Sequence, residues 1–257
     1  MQLSTAPFMP MFAAQARVEF LRMARIPAFS LTTILLPIMF YAFFGLPQSQ
    51  HAFMNTTAGL YMLASYSAYA VLTIVLFSFG ASVSAERGTG ATRLMRASPL
   101  QPMAYFCGKI IAAMGFAAIA MTILVLFAAL TGGAHMPFQM YVAMLIRLLL
   151  GSIPFTILGF AVGYLSSINS AIGILNLINL PLSFASGLFV PIKEMPDFVQ
   201  RVGPYLPTYH FGQLAWGAVG AAQEPLLTSA TWLAAYAVLF LIIAIRAYGR
   251  DERKEFA

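Results

Sequence analysis

Glu86-Arg87-Gly88-Thr89-Gly90-Ala91-Thr92-Arg93-Leu94-Met95-Arg96-Ala97-Ser98-Pro99-Leu100, followed nine residues later by Lys109, decides how the chain is read. It is a basic segment between two long apolar ones. If the flanks cross a bilayer, it must lie on the cytoplasmic side, because short loops rich in Lys and Arg stay inside. Taken as a helix over 86–98, it places Ala91, Leu94, Met95 and Ser98 on one stripe and Thr89, Arg93 and Arg96 on another. Pro99 would stop that helix, and Ser98 before it is biased away from helical angles. Glu86 is expected at its N-terminal end, where a negative charge suits the helix dipole.

Outward from this stretch, the composition leaves one class. Of 257 residues, 60% are hydrophobic and 9% charged, against roughly 25% charged in soluble domains. The chain reads as an all-α integral membrane protein. Its net charge of +6 fits basic residues gathered at the cytoplasmic ends of spans. No base-reading pattern accompanies it, so no nucleic-acid partner is expected. The single cysteine, Cys107, excludes an internal disulfide and a multi-cysteine metal site. It reads as a small buried apolar residue. No cleavable leader is recognisable at Met1.

The expected architecture is six transmembrane helices. An amphipathic helix within 1–26 is expected in the interfacial plane, with its arginines toward the headgroups. Spans are expected at 28–46, 58–84, 104–131, 138–165, 171–190 and 226–245. Between the last two, Pro191, Pro196, Pro204, Pro207 and Pro225 break 191–224 into pieces too short to cross. That segment is read as an outer re-entrant hairpin of short helices packed on protein. Eleven basic residues then fall inside (Arg17, Arg22, Arg25, Arg87, Arg93, Arg96, Lys109, Arg246, Arg250, Arg253 and Lys254), and Lys193 and Arg201 outside. This asymmetry puts both termini in the cytoplasm.

Arg147 is the remaining basic residue. It stands about 14 Å down its helix from Phe138, where an arginine costs on the order of 3 kcal/mol unless it faces protein or water. It is expected to pair with Glu194, Asp197 or Glu224 of the hairpin, which is weighed above direct contact with an acidic substrate. Tyr61, Tyr66 and Tyr69 on the second span, and Asn176 and Asn179 on the fifth, are polar groups expected to face protein or a pathway rather than lipid. His51, His135 and His210 lack ligand spacing, and the fifteen methionines suit adaptable packing.

Two sets of residues resemble the type-2 ABC exporter permeases, the family that includes drug, antibiotic, nodulation-factor and polysaccharide exporters. The first is Glu86-Arg87-x-x-Gly90 with Leu94, Ser98-Pro99-Leu100 and Gly108-Lys109. The second is Ser186-Gly187-Leu188-Phe189-Val190-Pro191 with Met195-Pro196 and Leu206-Pro207. One departure is that Ala91-Thr92-Arg93 stands where many members carry an acidic residue just after the glycine. The resemblance implies a bacterial inner-membrane permease subunit, paired with a second copy in a homodimer and served by two cytoplasmic ATPase subunits. Residues 86–98 would be the coupling helix, with Glu86, Arg87, Gly90, Arg93, Leu94, Arg96, Pro99 and Lys109 as its docking and coupling set. Tyr61, Tyr66, Tyr69, Arg147, Asn176 and Asn179 would line the substrate pathway. ATP and Mg would bind the partner, since Gly108-Lys109 is not a phosphate-binding loop: no glycine precedes it at the required spacing and Ile110 follows. No cofactor and no enzymatic chemistry are expected of the chain itself. An ion-driven secondary transporter would show internal repeats and acidic residues in broken spans, and neither is visible. A membrane anchor that transports nothing is distinguished by the absence of an ATPase partner.

Overall fold

A helix buried on nearly every face holds the molecule together in the computed structural model, which describes residues 8–98 and 100–255 (the side chains of 93, 96, 97 and 252–255 excepted). Before it come α1 (Phe8–Ala24) and α2 (Pro27–Phe40), the latter continued by a π-turn over Tyr41–Gly45. Pro27 starts α2, where its missing N–H costs nothing. Pro37, inside α2, is followed within one turn by that π-turn, a common accommodation of a disturbed hydrogen-bond ladder. A two-residue hairpin, Ala52–Phe53 against Thr56–Thr57, leads into the central helix α3 (Ala58–Gly88). Thr57 caps α3 by accepting the Leu60 amide at 3.3 Å.

Around α3 stand α4 (Ala91–Ala97), α5 (Pro102–Leu130), α6 (Phe138–Gly151), α7 (Ile153–Leu165) and α8 (Ile168–Ala185). Two short helices follow, α9 (Asp197–Val202) and α10 (Pro207–Ala218), before α11 (Leu226–Glu255). Six helical segments are long and apolar enough to cross a membrane: Pro27–Gly45, Ala58–Gly88, Pro102–Leu130, Phe138–Leu165, Ile168–Ala185 and Leu226–Asp251. They match the six expected spans in number and order. The fourth is broken at Ser152, because Pro154 cannot donate to Leu150 and its ring crowds that carbonyl. The fifth begins a turn earlier than expected. Ser167 and Ser170 satisfy each other's backbone groups as a capping box, so the residues between the fourth and fifth expected spans start the helix.

Small residues let the helices close on α3. A Cβ on Gly159 of α7 would stand 2.8 Å from the Leu76 carbonyl, and one on Gly163 would stand 2.8 Å from Val83 Cβ. These two glycines form a G-x-x-x-G pair, the pattern that brings apolar helices into backbone contact. Polar contacts fix the register of the rest. Trp216 Nε1 of α10 donates to Ser65 Oγ at 2.8 Å, and Asn179 Nδ2 of α8 donates to Thr73 Oγ1 at 3.0 Å. The segment 191–224 holds α9 and α10 with 3-10 turns at Ile192–Glu194 and Gly203–Tyr205. In α10, every residue from Pro207 to Trp216 is buried.

The basic stretch differs from its expected form. There is no helix over 86–98. α3 runs on to Gly88, and α4 is only seven residues long. Gly90, at φ 73°, makes the left-handed turn between them, a conformation costly for any residue with a Cβ. Glu86 therefore lies in the last turn of α3, not at the N-terminus of the short helix. Ser98 is extended at ψ 161°, as a residue preceding proline should be. Pro99 lies outside the described residues.

Candidate functional site: an ion-pair cluster beneath an apolar cavity

Glu86 at the end of α3 would be disfavoured by the helix dipole. The structure offsets this with cations from two other helices. Lys109 of α5 is 1% exposed, and its Nζ donates to Glu86 Oε1 at 2.8 Å and to Glu19 Oε1 of α1 at 2.9 Å. Arg22 of α1 donates to Glu86 Oε1 at 2.5 Å, and the Tyr105 hydroxyl donates to Glu86 Oε2. Ser82 Oγ accepts from Lys109 Nζ at 3.1 Å. A buried ion pair of this kind is weak evidence for net stability but fixes one arrangement, because any other leaves a buried charge unpaired.

The local sequence makes the approach possible. A Cβ on Gly108 would fall 2.8 Å from Gln15 Cγ and 3.0 Å from the Ala16 amide. Gly108 lets α1 lie against α5, and Lys109 then locks it there. An interfacial helix would turn its charged residues toward the headgroups. Glu19 is in fact 5% exposed and faces Lys109. Nothing in the local pattern of α1 marks it, because its partner is 90 residues away.

Arg87, the next residue, clamps a different set of helices. Its Nε donates to Asp251 Oδ2 of α11 at 2.8 Å, with Nη2 on the other carboxylate oxygen. Its Nη1 donates to the Gly163 and Ser166 carbonyls at the end of α7, at 2.8 and 3.2 Å, where a cation also suits the dipole. Of the residues expected to dock a partner, Glu86, Arg87 and Lys109 are thus engaged within the chain. Leu94 of α4 is 75% exposed, and Gly90 sits at the turn. The side chains of Arg93 and Arg96 lie outside the described residues.

Above the ion-pair cluster opens a cavity of about 570 Å³ between α2, α3 and α8. It extends from Ala85 to Tyr69 along α3, about 24 Å at 1.5 Å per residue. Glu19 and Arg22 line one end, and Phe29, Leu36, Phe77, Ile172 and Leu180 form much of the wall. Thr32, Thr33, Thr73, Asn176 and Asn179 supply hydrogen-bonding groups, and the buried Asn179 Oδ1 has no protein partner. The volume falls within the roughly 300–1,000 Å³ of small-molecule sites, mostly apolar with a few polar groups.

Three of the six expected pathway residues meet here: Tyr69, Asn176 and Asn179. Tyr66 is fully buried in the core beside Phe40 and Phe189, and Tyr61 stacks on Trp216 at 5.3 Å. Arg147 is elsewhere, and its expected ion pair is absent: among the described residues no carboxylate lies within 4 Å of it. Its Nη1 is 3.1 Å from the position of a Cβ on Gly217, in the last turn of α10. The guanidinium thus stands beside the C-terminal end of α10, where a cation suits the helix dipole. Glu224 faces His210 instead, at 3.4 Å from Nδ1, and burial holds the imidazole below its usual pKa against the opposing pull of that carboxylate.

An all-helical membrane subunit, with six spanning helices, a short helix at a basic turn and a cavity above it, defines a transport permease. The family model described as "ABC-2 family transporter protein" matches residues 53–246, and the chain belongs to that family. It is similar to the protein named "Putative transport permease YvfS" of Bacillus subtilis (strain 168). The two are 29% identical over 231 residues, covering 90% of this chain and 94% of that one. Membership implies association with an ATP-binding subunit.

Proposed function

We propose that the chain is the membrane-spanning subunit of an ATP-driven exporter that moves an amphipathic or hydrophobic molecule (a drug, antibiotic, lipid-like molecule or glycan) out of the cytoplasm or inner leaflet. Two copies form a homodimer in the bacterial inner membrane, and two ATPase subunits carrying ATP and Mg dock at α4, with both termini on their side. The observation supporting this most is the apolar cavity whose end wall includes Glu19 and Arg22. These side chains also belong to the Lys109 cluster, one turn from the start of the α4 loop. Displacement of α4 is therefore delivered to the helices that line the cavity. Asn179 and Thr73 supply directional contacts inside an otherwise apolar wall, so they select among amphipaths by their polar groups.

The test is reconstitution of the permease with the ATPase encoded beside it, in lipid. Amphipathic compounds that are transported should stimulate ATP hydrolysis. Asn179→Leu should shift the concentration for half-stimulation by about tenfold, the loss of one or two hydrogen bonds to a ligand, measured relative to the variant's own basal hydrolysis. Failure of the permease to co-purify with any ATPase would overturn the reading.

A further inference from the structure

A second, smaller pocket lies at the other end of α3. Its volume is about 140 Å³, well below the roughly 300–1,000 Å³ of a drug-sized site. Four aromatic rings line it: Phe44, Phe53, Tyr61 and Phe189. Three of them are held by neighbouring rings, and Phe44, about half exposed, stands at the rim. Phe53 and Tyr61 are 4.6 Å apart between centroids, Tyr61 is backed by Trp216 at 5.3 Å, and Phe189 is held by Phe184 at 4.4 Å and Phe40 at 4.9 Å. The charged lining residue is Glu194, exposed at the rim of the pocket. No basic side chain among the described residues lies within 4 Å of its carboxylate, so the negative charge of this pocket is not balanced from within.

We propose that this pocket binds an organic cation, an alkylammonium head group seated among Phe44, Phe53, Tyr61 and Phe189 with its charge toward Glu194. The chemistry of the lining selects this class. Aromatic faces carry negative quadrupole density and attract quaternary ammonium groups, most strongly where water is excluded. The carboxylate supplies the counter-charge and repels anions. A compact alkyl shell fills the apolar volume, whereas a bare inorganic cation would lose hydration without enough oxygen ligands in return. The head group could come from a soluble ammonium compound or from a choline lipid, and the same pocket chemistry serves both. The site stands apart from the cavity between α2, α3 and α8, and does not depend on what that cavity carries.

Trp216, one ring behind the pocket, provides the readout. The full chain, purified in neutral detergent with Trp232→Phe to leave a single tryptophan, is titrated with benzyltrimethylammonium, benzyl alcohol and benzenesulfonate. A saturable change in emission is expected with the cation and not with the other two. Glu194→Gln should weaken it by about tenfold, and Asp197→Asn, a second exposed carboxylate that does not line the pocket, should leave it within about twofold. Thermal stabilisation of the unmodified chain by the same cation is the second measurement, independent of the tryptophan change. Repeating the titration in nanodiscs of phosphatidylglycerol, with and without phosphatidylcholine, separates the sources. Competition by phosphatidylcholine assigns a lipid head group, and equal binding assigns a soluble cation. No cation response in either measurement, an equal response to benzyl alcohol, or an unchanged curve in Glu194→Gln overturns the proposal.

Discussion

At the scale of single residues, Lys109 carries the largest consequence. It is fully buried between two carboxylates on two different helices. Replacing it by Met keeps most of its volume and removes its charge, which leaves Glu19 without a cation within hydrogen-bond reach and Glu86 with only Arg22. Breaking a buried pair in this way costs roughly 3–5 kcal/mol. We expect Lys109→Met to lower the thermal midpoint in detergent clearly below that of the parent. Adding Glu19→Gln should recover part of the loss, because one orphan carboxylate is then gone. Equal midpoints for Lys109→Met and the parent would show that the cluster is solvated and contributes no register. This residue also marks a limit of reading sequence. Lys109 is legible as one of a Gly-Lys pair, and the resemblance places it in the docking set. Its true partner, Glu19, sits on a helix whose local pattern assigns its charged residues to headgroups. The burial of both follows only from the close approach at Gly108, which is a tertiary fact.

At the scale of elements, the division of labour between α3 and α4 matters most. The long apolar runs made the six spanning helices legible, because composition alone determines them. The break at Gly88-Thr89-Gly90 was not, since the helical spacing of Arg93 and Arg96 continues through it. Once α3 takes Glu86 and Arg87 into its final turn, these charges are engaged with α1, α5, α7 and α11. Among the described side chains of α4, Leu94 faces outward. If α4 is the docking element proposed above, motion must pass through a rigid contact, and the Arg87 and Lys109 clamps would supply that rigidity. Reversing Arg93 and Arg96 together to Glu should leave insertion and yield nearly intact. It should weaken capture of the ATPase or uncouple hydrolysis from transport, more severely at higher salt if the residual contact is electrostatic. The control is Arg250→Glu with Arg253→Glu in the tail, and the measurements are pull-down and transport. Should both double variants behave alike, the basic residues of α4 set topology only and do not dock a partner.

At the scale of the whole molecule, orientation is the remaining physical question. An even number of crossings brings both ends of the chain to one face, and the packing adds an independent link. α1, near the start, and α11, near the end, are both tied by charge to the last turn of α3, through Glu86 and Arg87 respectively. The basic turn and the two terminal segments therefore share one end of the molecule, while the hairpin at Ala52–Thr57 and the 132–137 turn lie at the other, where Gln50 Nε2 donates to the Gly132 carbonyl at 3.3 Å. The bias of Lys and Arg toward the first end predicts that it faces the cytoplasm. The check uses single cysteines on a Cys107→Ala background. Cysteines at His51 and His135 should react with a membrane-impermeant maleimide on intact cells. Cysteines at Thr89 and Gly249 should react only after the membrane is opened. If the labels at Thr89 and Gly249 fall on opposite sides, the ion pair between Arg87 and Asp251 cannot form within one bilayer leaflet, and the packing of α11 against α7 would fail with it.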